Sequence, residues 1–270
     1  MPSIQPLPFA VAALTFLLAG LVKGVIGLGL PTVSMGLLSL VMAPAKAASL
    51  LIVPSFVTNI WQLAAGPSFM RLAIRLWRML AAVVLGTLAG TGLLTGSHAG
   101  QAAVALGLML ILYAGLGLSS MRFTVAPTTE WWLGPLIGAL TGLVTAATGV
   151  FVIPAVPYLG ALNLDKEDMV QALGLSFTVS TIALAASLAA GGAFALGEIG
   201  ASTAALAPAL VGLAAGGAVR GQRADLPPGF LRRIATARRA PSGARGRVKQ
   251  LAMAVRRRPV ALAAARFGIS

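Results

Sequence analysis

The amino-acid sequence predicts an all-α polytopic membrane protein of two homologous, inverted repeats with Gly/Pro-broken helices. About nine membrane segments are expected, two of them short. Three observations support this. Hydrophobic residues make up 58% of the chain and charged residues only 10%, at a mean hydropathy of +0.92. Soluble domains carry about 25% charged residues. Apolar stretches of about 20 residues recur, the length that crosses a hydrocarbon core. Finally, Gly20-Leu-Val-Lys-Gly-Val-Ile-Gly27 returns as Gly142-Leu-Val-Thr-Ala-Ala-Thr-Gly149 at an offset of 122, and Ser55-Phe56 returns as Ser176-Phe177 at an offset of 121.

Taken in order, Pro8 to Leu28 is a first span, expected to be retained because Met1 to Pro8 lacks the basic n-region of a cleaved leader. Leu30 to Ala43 is short and bounded by Pro31 and Pro44. Ala45 to Ala65 is a span with Pro54, Asn59 and Gln62 inside it. Pro67 to Arg78 reads as a basic loop in which Arg71, Arg75 and Arg78 share one helical face. Met79 to Gly96 and Ala99 to Ser120 are clean spans, followed by a polar loop from Met121 to Glu130. The aromatic pair Trp131-Trp132 suits a membrane interface and opens the second half. There, Leu133 to Phe151 is a span, Val152 to Leu162 is a second short Pro-bounded segment, Asn163 to Asp168 is a charged turn, and Met169 to Ala190 and Ala195 to Val219 are spans.

Repeat 1 therefore covers 8–120 and repeat 2 covers 131–219 of a transmembrane domain at 1–219. Residues 220–270 form a basic tail. The domain holds seven Lys/Arg against five acids, a net +2, while the tail holds thirteen against Asp225 alone, a net +12. Such a tail suits the cytoplasmic flank of a membrane domain near anionic headgroups better than a nucleic acid, and is expected to be disordered or a short surface helix around 247–265. With the Arg71/Arg75/Arg78 loop inside, alternation leaves both outside turns free of Lys and Arg and puts the tail inside. That holds if each short segment crosses, and it makes the repeats inverted. Lys46 is the misfit, and re-entrant short segments would instead make seven spans and parallel repeats.

Several chemistries are excluded. Cysteine is absent and His98 is the single histidine, so thiolate and histidine metal sites have no ligands. The sequence carries no P-loop, HExxH or nucleophile-triad pattern, so neither an enzyme nor a resident cofactor is expected.

Candidate binding residues gather at the two breaks. Lys23, inside a span, costs roughly 2.5–3.5 kcal/mol at a bilayer centre and calls for a cavity or a partner. Around it stand Gly24, Gly27, Gly29 and Pro31, which answer in the second half to Thr145, Thr148, Gly149 and Pro154. Exposed amides at such breaks would bind an anion. Asn59, Gln171 and Ser176 complete the expected site, with Thr32, Ser34, Thr58, Gln62, Thr178, Ser180 and Thr181 as further polar positions. The competing explanation assigns the glycines to helix packing and the hydroxyls to interhelical hydrogen bonds.

Ala19-Gly-Leu-Val-Lys-Gly-Val-Ile-Gly-Leu-Gly-Leu-Pro31 resembles the Gly-rich first motif of the TauE/SafE sulfite exporter permeases. Thr145-Ala-Ala-Thr-Gly-Val-Phe-Val-Ile-Pro-Ala-Val-Pro-Tyr158 resembles the second-half motif, and Lys166 to Thr181 the segment after it. The likeness covers residues 8–220 and implies a bacterial inner-membrane permease for small anions, sulfite or organosulfonates, with a cytoplasmic C-terminus. The chain departs from the family pattern at Leu28 and Leu30, which interrupt the glycine run, and after Phe230-Leu-Arg-Arg-Ile234, where a last hydrophobic helix is expected and 235–270 is instead basic. A frameshift or truncation would explain the change. A non-transporting membrane scaffold and a permease disabled by that loss stay open as alternative functions.

Overall fold

The computed structural model describes residues 6–95, 99–118, 124–193 and 196–224. Among them there are nine α-helices and no strand: α1 (Pro6–Ile26), α2 (Leu30–Leu38), α3 (Pro44–Leu63), α4 (Phe69–Ala89), α5 (Ala99–Leu118), α6 (Pro127–Thr148), α7 (Ala155–Ala161), α8 (Lys166–Ala190) and α9 (Leu196–Ala224). The chain divides into two units, Met1–Arg220 and Gly221–Ser270. The fold below is that of the first unit. His98 and the tail from residue 225 onward, on which the expectations of a surface helix and of a lost last span fall, lie outside the described residues.

Five helices are long and apolar enough to cross a membrane, namely those within Phe69–Ala89, Gly100–Leu118, Pro127–Thr148, Lys166–Ala190 and Ile199–Arg220. The chain is a multi-pass membrane protein. α3 is equally long at 20 residues but more polar. Ser49, Ser55, Thr58, Asn59 and Gln62 are all buried, so α3 turns its polar positions onto other helices. The 25-residue α8 is likewise enclosed, and it packs against α3, α4, α6 and α7. α5 is the opposite case, with Val104, Leu108, Ile111 and Leu112 on its outer face. The core between these layers contains Phe16, Phe151 and Phe177, and the rings of the last two meet with centroids 5.3 Å apart.

Three sequence expectations change. Pro67 to Arg78 is not a loop, because the link between α3 and α4 is only Ala64–Ser68 and the three arginines sit on the first turns of α4. Leu72, Leu76 and Met79 keep an apolar face at helical spacing among the arginines, and all three are buried. Similarly, α6 starts at Pro127 rather than at Leu133, with the proline in the first turn where its missing N–H costs nothing. Finally, α9 continues to Ala224, so the first residues of the basic stretch are helical. The short segments contain helices of nine and seven residues. At about 1.5 Å per residue neither helix reaches across a core of about 30 Å. A crossing there needs non-helical backbone as well.

Candidate functional site

The first break forms because α1 stops at Ile26 and the chain turns through Gly27, φ +80°, and Gly29, φ +109°. Both lie in the left-handed region, where a side chain is strained. Pro31 then sits in the first turn of α2, and Gly29 at the N-cap makes no side-chain capping bond. The Thr32 hydroxyl donates to the Gly29 carbonyl at 3.0 Å, and the Gln62 amide donates to the Gly27 carbonyl at 3.3 Å. The second break repeats the geometry: Gly149, φ +72°, ends α6 and Pro154 precedes α7. Gly149 is packed on the first half, since a Cβ there would press on Met35 of α2 and Ala48 of α3.

Lys23 lies one turn before the first break and is 4% exposed. Its ammonium donates to Thr58 Oγ1 at 3.0 Å and to Asn59 Oδ1, both on α3. Asn59 Nδ2 in turn donates to Thr181 Oγ1 on α8 at 3.2 Å. The Thr58 and Thr181 hydroxyls donate to carbonyls of their own helices, at Pro54 and Phe177. Both are therefore held as acceptors. A buried cation is thus met by two neutral oxygens, and among the described residues no carboxylate pairs with it.

Several buried hydroxyls have no hydrogen-bond partner among the described residues: Ser55 on α3, Ser176 and Ser180 on α8, and Ser34 on α2. Ser55 is one helical turn before Asn59, and Ser180 is next to Thr181. Buried polar groups are normally satisfied, and three of these orphans lie on α3 and α8, the two helices joined through Asn59 and Thr181. In the sequence Ser55 marks the repeat, and its spacing four residues before Asn59 puts both on one face of α3.

Other expected site residues are placed elsewhere. Gln171 is fully engaged by backbone. Its amide nitrogen donates to the carbonyls of Leu63, at 2.8 Å, and Gly66, and its oxygen accepts from Ser68 N–H at 2.8 Å. It clamps the α3–α4 link. Gly24 is inside α1, not in the break, and a Cβ there would overlap Leu213 and Gly217 of α9. Thr145 and Thr148 are buried and donate to carbonyls one turn earlier in α6, at 2.7 Å each.

The glycine crossings come in a matched pair. Gly20 and Gly24 of α1 abut α9, whose Gly212 and Gly216 abut α1; Gly138 and Gly142 of α6 abut Met79 and Val83 of α4, whose Gly86 abuts α6. In each case a Cβ would collide with a backbone carbonyl, which is how small residues let transmembrane helices approach.

Among the described residues the helices carry two glycine-turned breaks, glycine-mediated crossings and one buried cation without a carboxylate partner, an arrangement that fits a membrane transport permease. More specifically, the chain belongs to the TauE/SafE family: the family described as Sulfite exporter TauE/SafE matches residues 12–237. No curated protein and no solved structure matches the chain.

Proposed function

We propose that the protein is a secondary permease that moves a small oxyanion, sulfite or an organosulfonate, across the bacterial inner membrane, with its C-terminus in the cytoplasm. The observation that carries this reading is Lys23, a buried cation with neutral partners only. Neutral oxygens solvate an ammonium without cancelling its charge, and an anion arriving beside it regains the missing Coulomb energy. The orphan hydroxyls of Ser55, Ser176 and Ser180 suit an oxyanion because they donate hydrogen bonds and carry no charge of their own. The uncapped start of α2 adds the first-turn N–H groups of Leu30 and Thr32 beside the break, Pro31 having none.

In this reading Lys23, Gly27, Gly29, Pro31 and Asn59 serve the anion from the first half, and Gly149, Pro154 and Ser176 from the second. Gly24, Gln171, Thr145 and Thr148 position those elements. Access alternates as two inverted halves, 8–120 and 131–219, rock against each other. Flux of radiolabelled sulfite into proteoliposomes tests the reading. Saturable uptake that Lys23→Ala weakens supports it. Uptake indifferent to Lys23→Ala removes the charge from the mechanism, and no uptake of any small oxyanion favours the scaffold alternative.

A further inference from the structure

A second polar site lies away from Lys23, between α4, α6 and α7. It is a cavity of about 250 Å³ whose lining includes Arg75, Trp77, Arg78, Glu130, Trp131 and Tyr158. Arg75 is committed: its guanidinium makes two bonds to the Glu130 carboxylate, at 3.0 and 2.6 Å, and one to the Leu162 carbonyl at 3.3 Å. Arg78 is not. No carboxylate pairs with it among the described residues, and its guanidinium lies 5.5 Å from the Trp77 ring centroid. Two guanidiniums against one carboxylate leave the cavity with a surplus positive charge. Tyr158 is only 6% exposed and lines the cavity, and its hydroxyl makes no hydrogen bond among the described residues. Among the described residues the site thus offers a guanidinium that stacks on Trp77 but has no carboxylate partner, and a phenol without a hydrogen bond.

Its surroundings identify the occupant. Trp77 and Trp131 flank the cavity at 56% and 64% exposure, and tryptophans so placed sit at the headgroup level of a bilayer. Below them the outer surfaces of α4 and α6 are apolar, with Leu85, Leu136 and Leu140 exposed. An apolar surface of this kind suits acyl chains.

We infer that the Arg78–Tyr158 cavity binds the phosphodiester of an anionic phospholipid, with Arg78 and the Tyr158 hydroxyl on its oxygens and the acyl chains along α4 and α6. Basic pockets between transmembrane helices recognise anionic headgroups in this way. A free inorganic anion shares the phosphate chemistry but would make no use of the apolar surface.

Native mass spectrometry of the full-length protein, released from micelles with equal phosphatidylglycerol and phosphatidylcholine, tests this. Wild type is expected to retain phosphatidylglycerol preferentially, and Arg78→Gln to lower that retention about fivefold. Tyr158→Phe, which removes one oxygen from a buried ring, is expected to lower it less while leaving thermal stability unchanged. The basic tail is present in all three proteins and adds equally to each. Equal retention of the two lipids by wild type, or retention unchanged in both variants, overturns the inference. So does displacement of the lipid by millimolar inorganic phosphate, which would assign the cavity to a soluble anion. Sulfite flux need not change in either variant, so the result stands apart from the transport reading.

Discussion

The ammonium of Lys23 donates to the side-chain carbonyl of Asn59, joining the end of α1 to α3, and Asn59 passes the connection to Thr181 of α8. One amide therefore orients the buried charge and ties together three helices.

Removing either partner should have a different consequence. Lys23→Ala is expected to insert normally and to lower apparent anion affinity about tenfold or more, as when a charge-assisted bond is lost. Asn59→Leu keeps the charge but deprives it of an acceptor. It should reduce folded yield and destabilise by about 1–3 kcal/mol. Thermal unfolding in detergent, set beside concentration-dependent uptake, separates the two effects.

The orphan hydroxyls give a sharper test. Ser55→Ala and Ser180→Ala remove groups that have no partner among the described residues. Their stability should stay the same or rise, because no hydrogen bond is broken. If the hydroxyls meet the anion, KM for uptake rises severalfold in the same variants. A loss of stability with unchanged KM would assign them to helix packing.

Gln171→Ala should behave the opposite way. It frees two carbonyls and one N–H at the α3–α4 link, so a stability loss of about 2–3 kcal/mol is expected, with KM unaltered in the protein that folds. Unchanged stability would show that the link holds without this clamp.

At the helix crossings, Gly142→Leu and Gly24→Leu drive side chains into facing backbone, which must separate. Overpacking of this kind costs about 1–3 kcal/mol or more. Size-exclusion profiles should show a loss of monodisperse protein. Exposed positions on the same membrane domain, such as Gly107, which meets nothing within 4 Å, should accept alanine without that loss.

The ion pairs at the start of α4 differ in geometry. Arg71 is itself 67% exposed, but the Asp168 side chain it bonds is 11% exposed, so Arg71→Ala leaves a buried carboxylate without its partner and should cost about 1–3 kcal/mol. Arg75 is more enclosed and bidentate on Glu130. Arg75→Glu should be damaging, and adding Glu130→Arg should restore much of the folded yield, which a comparison of single and double variants would reveal.

Much of this molecule can be read from the chain alone because its strongest signals are local. The length and apolarity of the spans follow from the need to satisfy every backbone group inside a bilayer, and the breaks follow from glycine and proline chemistry at Gly27, Gly29, Pro31 and Gly149. Lys23 stands out because a lone cation in apolar sequence is costly wherever it folds. Tertiary structure decided what the polar residues do. Gln171 and Asn59 are both amides within helices, yet one is spent on three backbone groups and the other holds a buried charge. Gly24 and Gly27 are three residues apart, yet one is a crossing and the other a turn. Arg75, Glu130 and Tyr158 come together only when α4, α6 and α7 pack. In each case the outcome depends on which helix lies opposite, a relation between distant segments that no local pattern of residues encodes.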